Sequence, residues 1–234
     1  MRAIVFANGE QLMSPQEIQE WVRAGDIVIA ADGGTHHALE AGMVPSVVIG
    51  DQDSLDAALR GRLQEAGTRF LIFPAMKDET DLELALLWAA EQEGVDEIVI
   101  LAALGGRHDQ ALANLLLLAM PELAGIPTHI VDSEWDIQVI HSGAPVCLHG
   151  HAGDTVSLLP LGGAAEGVTT SGLAYPLRDE ALRVGPARGV SNVLLGQEAM
   201  VQVRAGLLWC LQHRSLGASS APAPGNADAW SGPS

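Results

Sequence analysis

Hydrophobic and polar positions change their period along the chain. Up to about residue 133, short β-branched runs alternate with stretches in which apolar residues recur every three or four positions. The runs AIVFA, DIVIAAD, SVVIG, RFLIF, EIVILAAL and THIVD predict strands. Ser14 to Arg23, HHALEAG, LDAALRGRLQEAG, LELALLWAAEQEG and QALANLLLLAM predict helices between them. Strands alternating with helices require right-handed crossovers, so the expected fold here is α/β, a mainly parallel sheet covered on both faces. After Asp132 the texture shifts to WDIQVIH, VCLHGHAGD, TVSLLPL, ALRVG, GVSNVLL and AMVQVRAGLLWCL, with Gly and Pro turn signals between them, Gly162-Gly163 included. That spacing predicts a small antiparallel β-sandwich or barrel. The expected organisation is an α/β domain over 1–133, a β-sandwich over 134–214, and a Pro/Gly-rich tail over 215–234 too poor in apolar residues to offset its ordering entropy.

Composition narrows the partners. A hydrophobic content of 48% in 234 residues is ample for a core, and a net charge of −17 leaves no basic stripe for nucleic acid or an anionic membrane surface. A small substrate is expected instead. No apolar run approaches the roughly 18–20 residues of a membrane span. The start MRAIVFANG lacks a signal-peptide layout, and Cys147 and Cys210 have no paired spacing, so a reduced, cytoplasmic protein is expected. Lys77 is the only lysine of the chain.

The candidate chemistry lies where strands end. DIVIAAD runs into Asp32-Gly33-Gly34, SVVIG into Asp51-Gln52-Asp53-Ser54, RFLIF is followed by Lys77-Asp78-Glu79-Thr80-Asp81, and EIVILAAL runs into Gly105-Gly106-Arg107-His108-Asp109. In open α/β sheets the carboxyl edge of the strands is the ligand edge, so four loops converge on one crevice. Structural readings compete: Thr80-x-x-Glu83 fits a capping box, Ser54 an N-cap, Gly33-Gly34 a plain turn, and Arg107 a salt bridge to Asp109. Capping does not call for both Asp51 and Asp53, whose alternate placement makes a hard-oxygen site for Mg²⁺. Lys77 and Arg107 in the same acidic crevice are anion-binding groups, and a metal–nucleotide complex satisfies both signs of charge. No P-loop, dinucleotide fingerprint, nucleophile elbow or H-E-x-x-H is present. His149-x-His151 with His141 lacks a convincing fourth zinc ligand and reads as surface.

Taken together, ADGG at 31–34, GDQDS at 50–54, KDETDLELAL at 77–86, GGRHDQALANLLLL at 105–118 and TSGLAYPLRDEALRVGPARGVSN from Thr170 to Asn192 resemble the thiamine pyrophosphokinase (thiamine diphosphokinase) family. The resemblance covers the chain to about Arg214. It implies a Rossmann-like α/β nucleotide domain followed by a β-sandwich, in a homodimer with thiamine bound between the α/β domain of one subunit and the sandwich of the other. By matching position it makes Asp51, Asp53 and Asp81 Mg²⁺ ligands or close neighbours. Asp32, Gly33, Ser54, Lys77, Asp78, Thr80, Arg107 and Asp109 become ATP-site residues, and Thr169, Tyr175, Ser191 and Asn192 the thiamine side. Asp51, Asp53, Asp81, Arg107 and Asp109 would be the catalytic set. Gln110 and Ala174 depart from residues frequent in the family. The implied reaction is ATP + thiamine giving AMP + thiamine diphosphate. A pyrophosphokinase for another hydroxymethyl substrate such as a pterin, a D-x-D phosphatase and a non-catalytic nucleotide-binding module are the competing readings.

Overall fold

The computed structural model describes residues 1–214; the expected tail lies outside the described residues. The chain divides into two compact units, Met1–Val139 and a second that begins at Ile140.

The first unit contains strands β1 (Arg2–Phe6), β2 (Ile27–Ala31), β3 (Val47–Gly50), β4 (Arg69–Ile72), β5 (Glu97–Leu101) and β6 (Thr128–Val131). Helices α1 (Pro15–Trp21), α2 (Gly34–Glu40), α3 (Ala57–Glu65), α4 (Asp81–Ala90) and α5 (His108–Leu117) alternate with them. The strand order is β4-β3-β2-β1-β5-β6, parallel throughout, and β7 (Trp135–His141) adds antiparallel on β6. Every residue of β1 and β3 is buried, as expected for a sheet covered on both faces. Ile4, Phe6, Val28 and Val99 pack with Met13 and Ile18 of the α1 region, and Ala30 and Val48 with Leu59 and Leu63 of α3. Leu82, Ala85, Leu86 and Ala89 form the buried stripe of α4, at the spacing an amphipathic helix requires.

Three of the five helix starts, those of α1, α3 and α4, carry side-chain caps. Ser14 and Glu17 close a reciprocal capping box on α1, and Thr80 Oγ1 accepts from Glu83 N at 3.1 Å on α4. Ser54, a natural cap in sequence, does not cap α3. Asp56 does, accepting from Leu59 N at 2.7 Å, because the helix begins two residues later than the polar cluster suggests.

The second unit is antiparallel and β-rich. Its strands are β8 (Val146–His149), β9 (Thr155–Ser171), β10 (Glu180–Leu182), β11 (Asn192–Val193), β12 (Glu198–Gln202) and β13 (Ala205–His213). Their order is β13-β9-β12-β8, with β10 and β11 also on β9. Gly162-Gly163, expected to close a turn, instead lies inside the 17-residue β9. Gly162 and Gly167 adopt positive φ, which bends the strand without ending its pairing. Its first half pairs with β13 and its last three residues with β12, with a register shift between Ala205 and Leu207. One bent strand thus pairs with four others around the core of Val156, Leu158, Val168, Leu182, Val201 and Leu208. The run AMVQVRAGLLWCL divides into β12 and β13.

Candidate functional site

In the first unit the strand order reverses between β1 and β5, and a pocket of about 570 Å³ opens at the carboxyl ends of the strands there. Its floor is knit by the loops after β1 and β5: Ala7, Gly9 and Glu10 donate backbone N–H bonds to Leu101, Ala102 and Leu104 at 2.7–2.9 Å. Asp32, Asp51, Lys77, Glu79, Thr80, Asp81, Gly105, Gly106 and Arg107 line it, so all four anticipated loops meet at one place. Asn8, Glu10, Gln110 and Asn114 line it as well.

Carboxylate oxygens of Asp32, Asp51 and Asp53 lie within 4.8 Å of one another. Two strained turns hold them. Asp32 and Gln52 adopt φ of 41° and 63°, in the left-handed region that costs a non-glycine residue energy; Asp32 follows directly on β2, and Gln52 stands two residues past the end of β3. Asp53 N donates to Asp51 Oδ1 at 3.1 Å, and Thr35 N and Oγ1 both donate to Asp32 O. Gly50, at φ 149°, makes the approach possible: a Cβ there would stand 2.9 Å from Asp32 Cβ and 3.0 Å from Asp81 Cγ.

Burial raises the Asp32 pKa above the ordinary carboxylate range; the nearby Ser54 hydroxyl, outside hydrogen-bonding geometry, pulls the other way, and the charges of Asp81, Asp51 and Asp53 raise it further. Asp32 Oδ1 is buried without a hydrogen-bond donor. Mutually repelling carboxylates with an orphaned oxygen are the donor set that a hard divalent cation fits.

Asp81 also has a cationic partner. It stands beside the trio, with Oδ1 2.8 Å from Lys77 Nζ in an ionic contact, while Asp32 completes the three-carboxylate group. Lys77 also donates to Pro74 O at 3.3 Å. Arg107 precedes α5 at the pocket and binds Asp109 through Nε at 3.1 Å and Nη2 at 2.5 Å, both side chains being exposed. Asp53, Ser54 and Gly33 lie in the same loops without lining the pocket, and Asp78 is exposed outside the lining. Sequence reasoning passed over Asn8, Glu10 and Gln52. Asn8 and Glu10 follow β1 as the anticipated residues follow β2 to β5, and the same strand-end rule would have found them.

A separate pocket of about 260 Å³ in the second unit is lined by Tyr175, Leu177, Arg188, Val190, Ser191 and Asn192, among others. Asn192 fixes the Tyr175 backbone from both sides, accepting from Tyr175 N at 2.9 Å and donating to Tyr175 O at 2.7 Å. The Tyr175 side chain is left half exposed. Ser191 is again at positive φ. Thr169 is not a lining residue; its Oγ1 accepts from Asp179 N at 3.2 Å.

The fold and the first pocket define an α/β protein whose sheet edge can take a cation and an anion together. Residues 18–129 match the thiamin pyrophosphokinase catalytic domain, and residues 144–208 its vitamin B1 binding domain. Thiamine pyrophosphokinase of Bacillus subtilis is 31% identical over 204 residues, covering 87% of this chain and 94% of the relative. The chain belongs to the thiamine pyrophosphokinase family. Crystal structures of thiamine pyrophosphokinases from Bacillus subtilis (TM-score 0.81, 28% identity) and Geobacillus thermodenitrificans (0.79, 27%) each superpose on 92% of the chain, covering 100% and 99% of those structures.

Proposed function

We propose that the acidic pocket is the Mg²⁺–ATP site of a thiamine diphosphokinase. The chain transfers the pyrophosphoryl group of ATP to the hydroxyl of thiamine, giving thiamine diphosphate and AMP, in keeping with its family. The observation that carries the assignment of the pocket is the Asp32–Asp51–Asp53 group set beside Lys77 and Arg107. Asp51 and Asp53, with Asp32 as third donor and Asp81 adjacent, would hold the metal. A divalent cation bound there neutralises charge on the phosphate oxygens.

The remaining steps belong to the protein. Lys77 takes residual charge of the triphosphate, and Arg107 exchanges its solvent-screened partner Asp109 for phosphate oxygens. Gly33, Ser54, Asp78, Thr80 and Asp109 border the nucleotide. A bond forms between the thiamine oxygen and the β-phosphorus as the bond from that phosphorus to the α,β-bridging oxygen breaks. AMP leaves with the bridging oxygen, and the hydroxyl proton passes to a carboxylate, Asp81 or Asp109. Positioning and charge neutralisation suffice, with no covalent enzyme intermediate. Tyr175, Ser191 and Asn192, with Thr169 nearby, form the thiamine side. The resemblance further supports a Rossmann-like first domain, a β-sandwich second domain, and a homodimer whose active sites draw on both subunits. Two free cysteines accord with a cytoplasmic setting. Among the described residues no helix is long and apolar enough to cross a membrane.

Incubation with ATP, Mg²⁺ and thiamine is expected to give AMP and thiamine diphosphate in equal amounts, to stop in excess EDTA and to resume on adding Mg²⁺. Undiminished turnover in EDTA would remove the metal from the site. ATP use only with another alcohol would move the substrate assignment, tight nucleotide binding without AMP would make the chain a sensor, and a trapped aspartyl-phosphate on Asp51 would favour the D-x-D phosphatase.

A further inference from the structure

In the second unit, the open face of the β8–β12 ribbon carries a set of donors that line neither described pocket. The antiparallel register places Glu198 opposite His149 and Met200 opposite Cys147. Directly paired residues share a face, and residues two apart on one strand do too, so all four side chains project together. Burial agrees: Leu148, Ala199 and Val201 are inside, whereas Cys147, His149, Glu198 and Met200 are exposed. Ligand atoms of Cys147, His149 and Glu198 lie within 4.8 Å of one another, and His149 Nδ1 is 3.8 Å from Glu198 Oε1. Bond lengths of roughly 2.0–2.3 Å put tetrahedral donors about 3.3–3.7 Å apart, so only small rotamer adjustments of exposed side chains separate this arrangement from a closed site.

We propose that Cys147, His149 and Glu198 form a transition-metal site, suited to Zn²⁺, that clips β8 to β12. One thiolate, one imidazole and one carboxylate are a borderline-soft set, unlike the all-oxygen group of the acidic pocket, so the two sites select different cations. The fourth position is open to water. Binding releases the Cys147 thiol proton and leaves the sulfur as a metal-bound thiolate. The structure thus groups His149 with a cysteine and a glutamate across a strand pair, not with the nearby His141 and His151, because strand register rather than sequence proximity decides which donors meet.

The test is a Co²⁺ titration of the full chain under reducing conditions, with Mg²⁺ in excess to occupy hard-oxygen sites. One equivalent is expected to produce a thiolate-to-cobalt charge-transfer band that Zn²⁺ abolishes by displacement. Cys147→Ser should eliminate the band, and His149→Ala and Glu198→Gln should each weaken Co²⁺ binding at least about tenfold, the scale on which even a ligand's supporting partner acts. All three positions are exposed, and far-ultraviolet circular dichroism checks that the variants keep the fold. The proposal is overturned if the wild-type chain gives no thiolate band, if the band survives Cys147→Ser and so arises from Cys210, or if affinity is unchanged in both His149→Ala and Glu198→Gln. None of these readouts involves turnover, so the result is independent of the reading of the acidic pocket.

Discussion

On the reading proposed for the acidic pocket, the Lys77–Asp81 ion pair serves two purposes. The lysine is mostly buried, 2.8 Å from the carboxylate, and a charge so placed loses hydration that Asp81 replaces. When a triphosphate enters, Lys77 can turn from aspartate to phosphate without leaving the pocket, and Asp81 is then freed toward the metal or the proton. Lys77→Met retains the aliphatic stem and removes the charge. Loss of a charge-assisted contact is worth about 1.5–3 kcal/mol, so ATP use, read as kcat/KM for ATP, should fall by roughly ten- to a hundredfold. The KM for thiamine should change little; equal effects on both substrates would assign the lysine to the fold. The place of the lone lysine in the pocket was legible in the sequence because it lies in the loop after a strand. Its partner was less so: Asp81 reads equally as a metal ligand, a first-turn acid and an ion-pair member, and only distances separate these. Gln52 was illegible for a different reason. Its left-handed backbone and buried, unpartnered amide are consequences of how β3 ends, and no residue pattern encodes them.

At the level of elements, β6 and β7 meet where the sheet changes from parallel to antiparallel, and a half-hidden pair bridges them. His129 Nδ1 lies 2.8 Å from Asp136 Oδ1. Burial lowers the His129 pKa, but the hydrogen bond and charge of Asp136 outweigh it, and the net direction is upward. A histidine with a raised folded-state pKa binds its proton more tightly in the folded state. The pair's contribution is therefore fully present below the unfolded value of about 6.5 and is lost as pH rises through the higher folded value. Urea unfolding of the full chain should show stability falling across this window, and His129→Gln should flatten that fall; an identical pH profile in the variant would mean the pair is energetically silent. The central strands β1, β2, β3 and β5 were easy to find from sequence, since nearly continuous burial makes each a short apolar run bounded by turns. The second unit was harder. Bent β9 resumes pairing beyond two glycines that in most contexts end a strand, and long-range pairing with β13 and β12 overrides that local signal. The α3 start was misplaced for a similar reason: Ser54 and Asp56 are both good caps, and the turn at Gln52 decides between them.

For the whole molecule the governing quantity is a net charge of −17, far from what a phosphate-binding protein would be expected to carry. The two substrates meet this field differently. Free ATP is repelled until a cation reduces its charge, whereas thiamine, with its fixed positive charge, is drawn in. Screening offers a direct test, because the Debye length shrinks from roughly 30 Å at about 0.01 M salt to roughly 8 Å at about 0.15 M. Over that range the KM for thiamine should rise severalfold at saturating Mg²⁺–ATP, while kcat stays nearly constant, since the groups that touch the transferring phosphate are within contact distance and are scarcely screened. The opposite sign is expected for nucleotide at limiting metal: salt should relieve repulsion and lower the apparent KM for ATP. A thiamine KM independent of ionic strength would show that the negative charge is spread over the surface without reaching the substrate's path. In that case the acidic character of the chain would bear on solubility alone, and recognition of thiamine would rest on short-range contacts such as those around Tyr175.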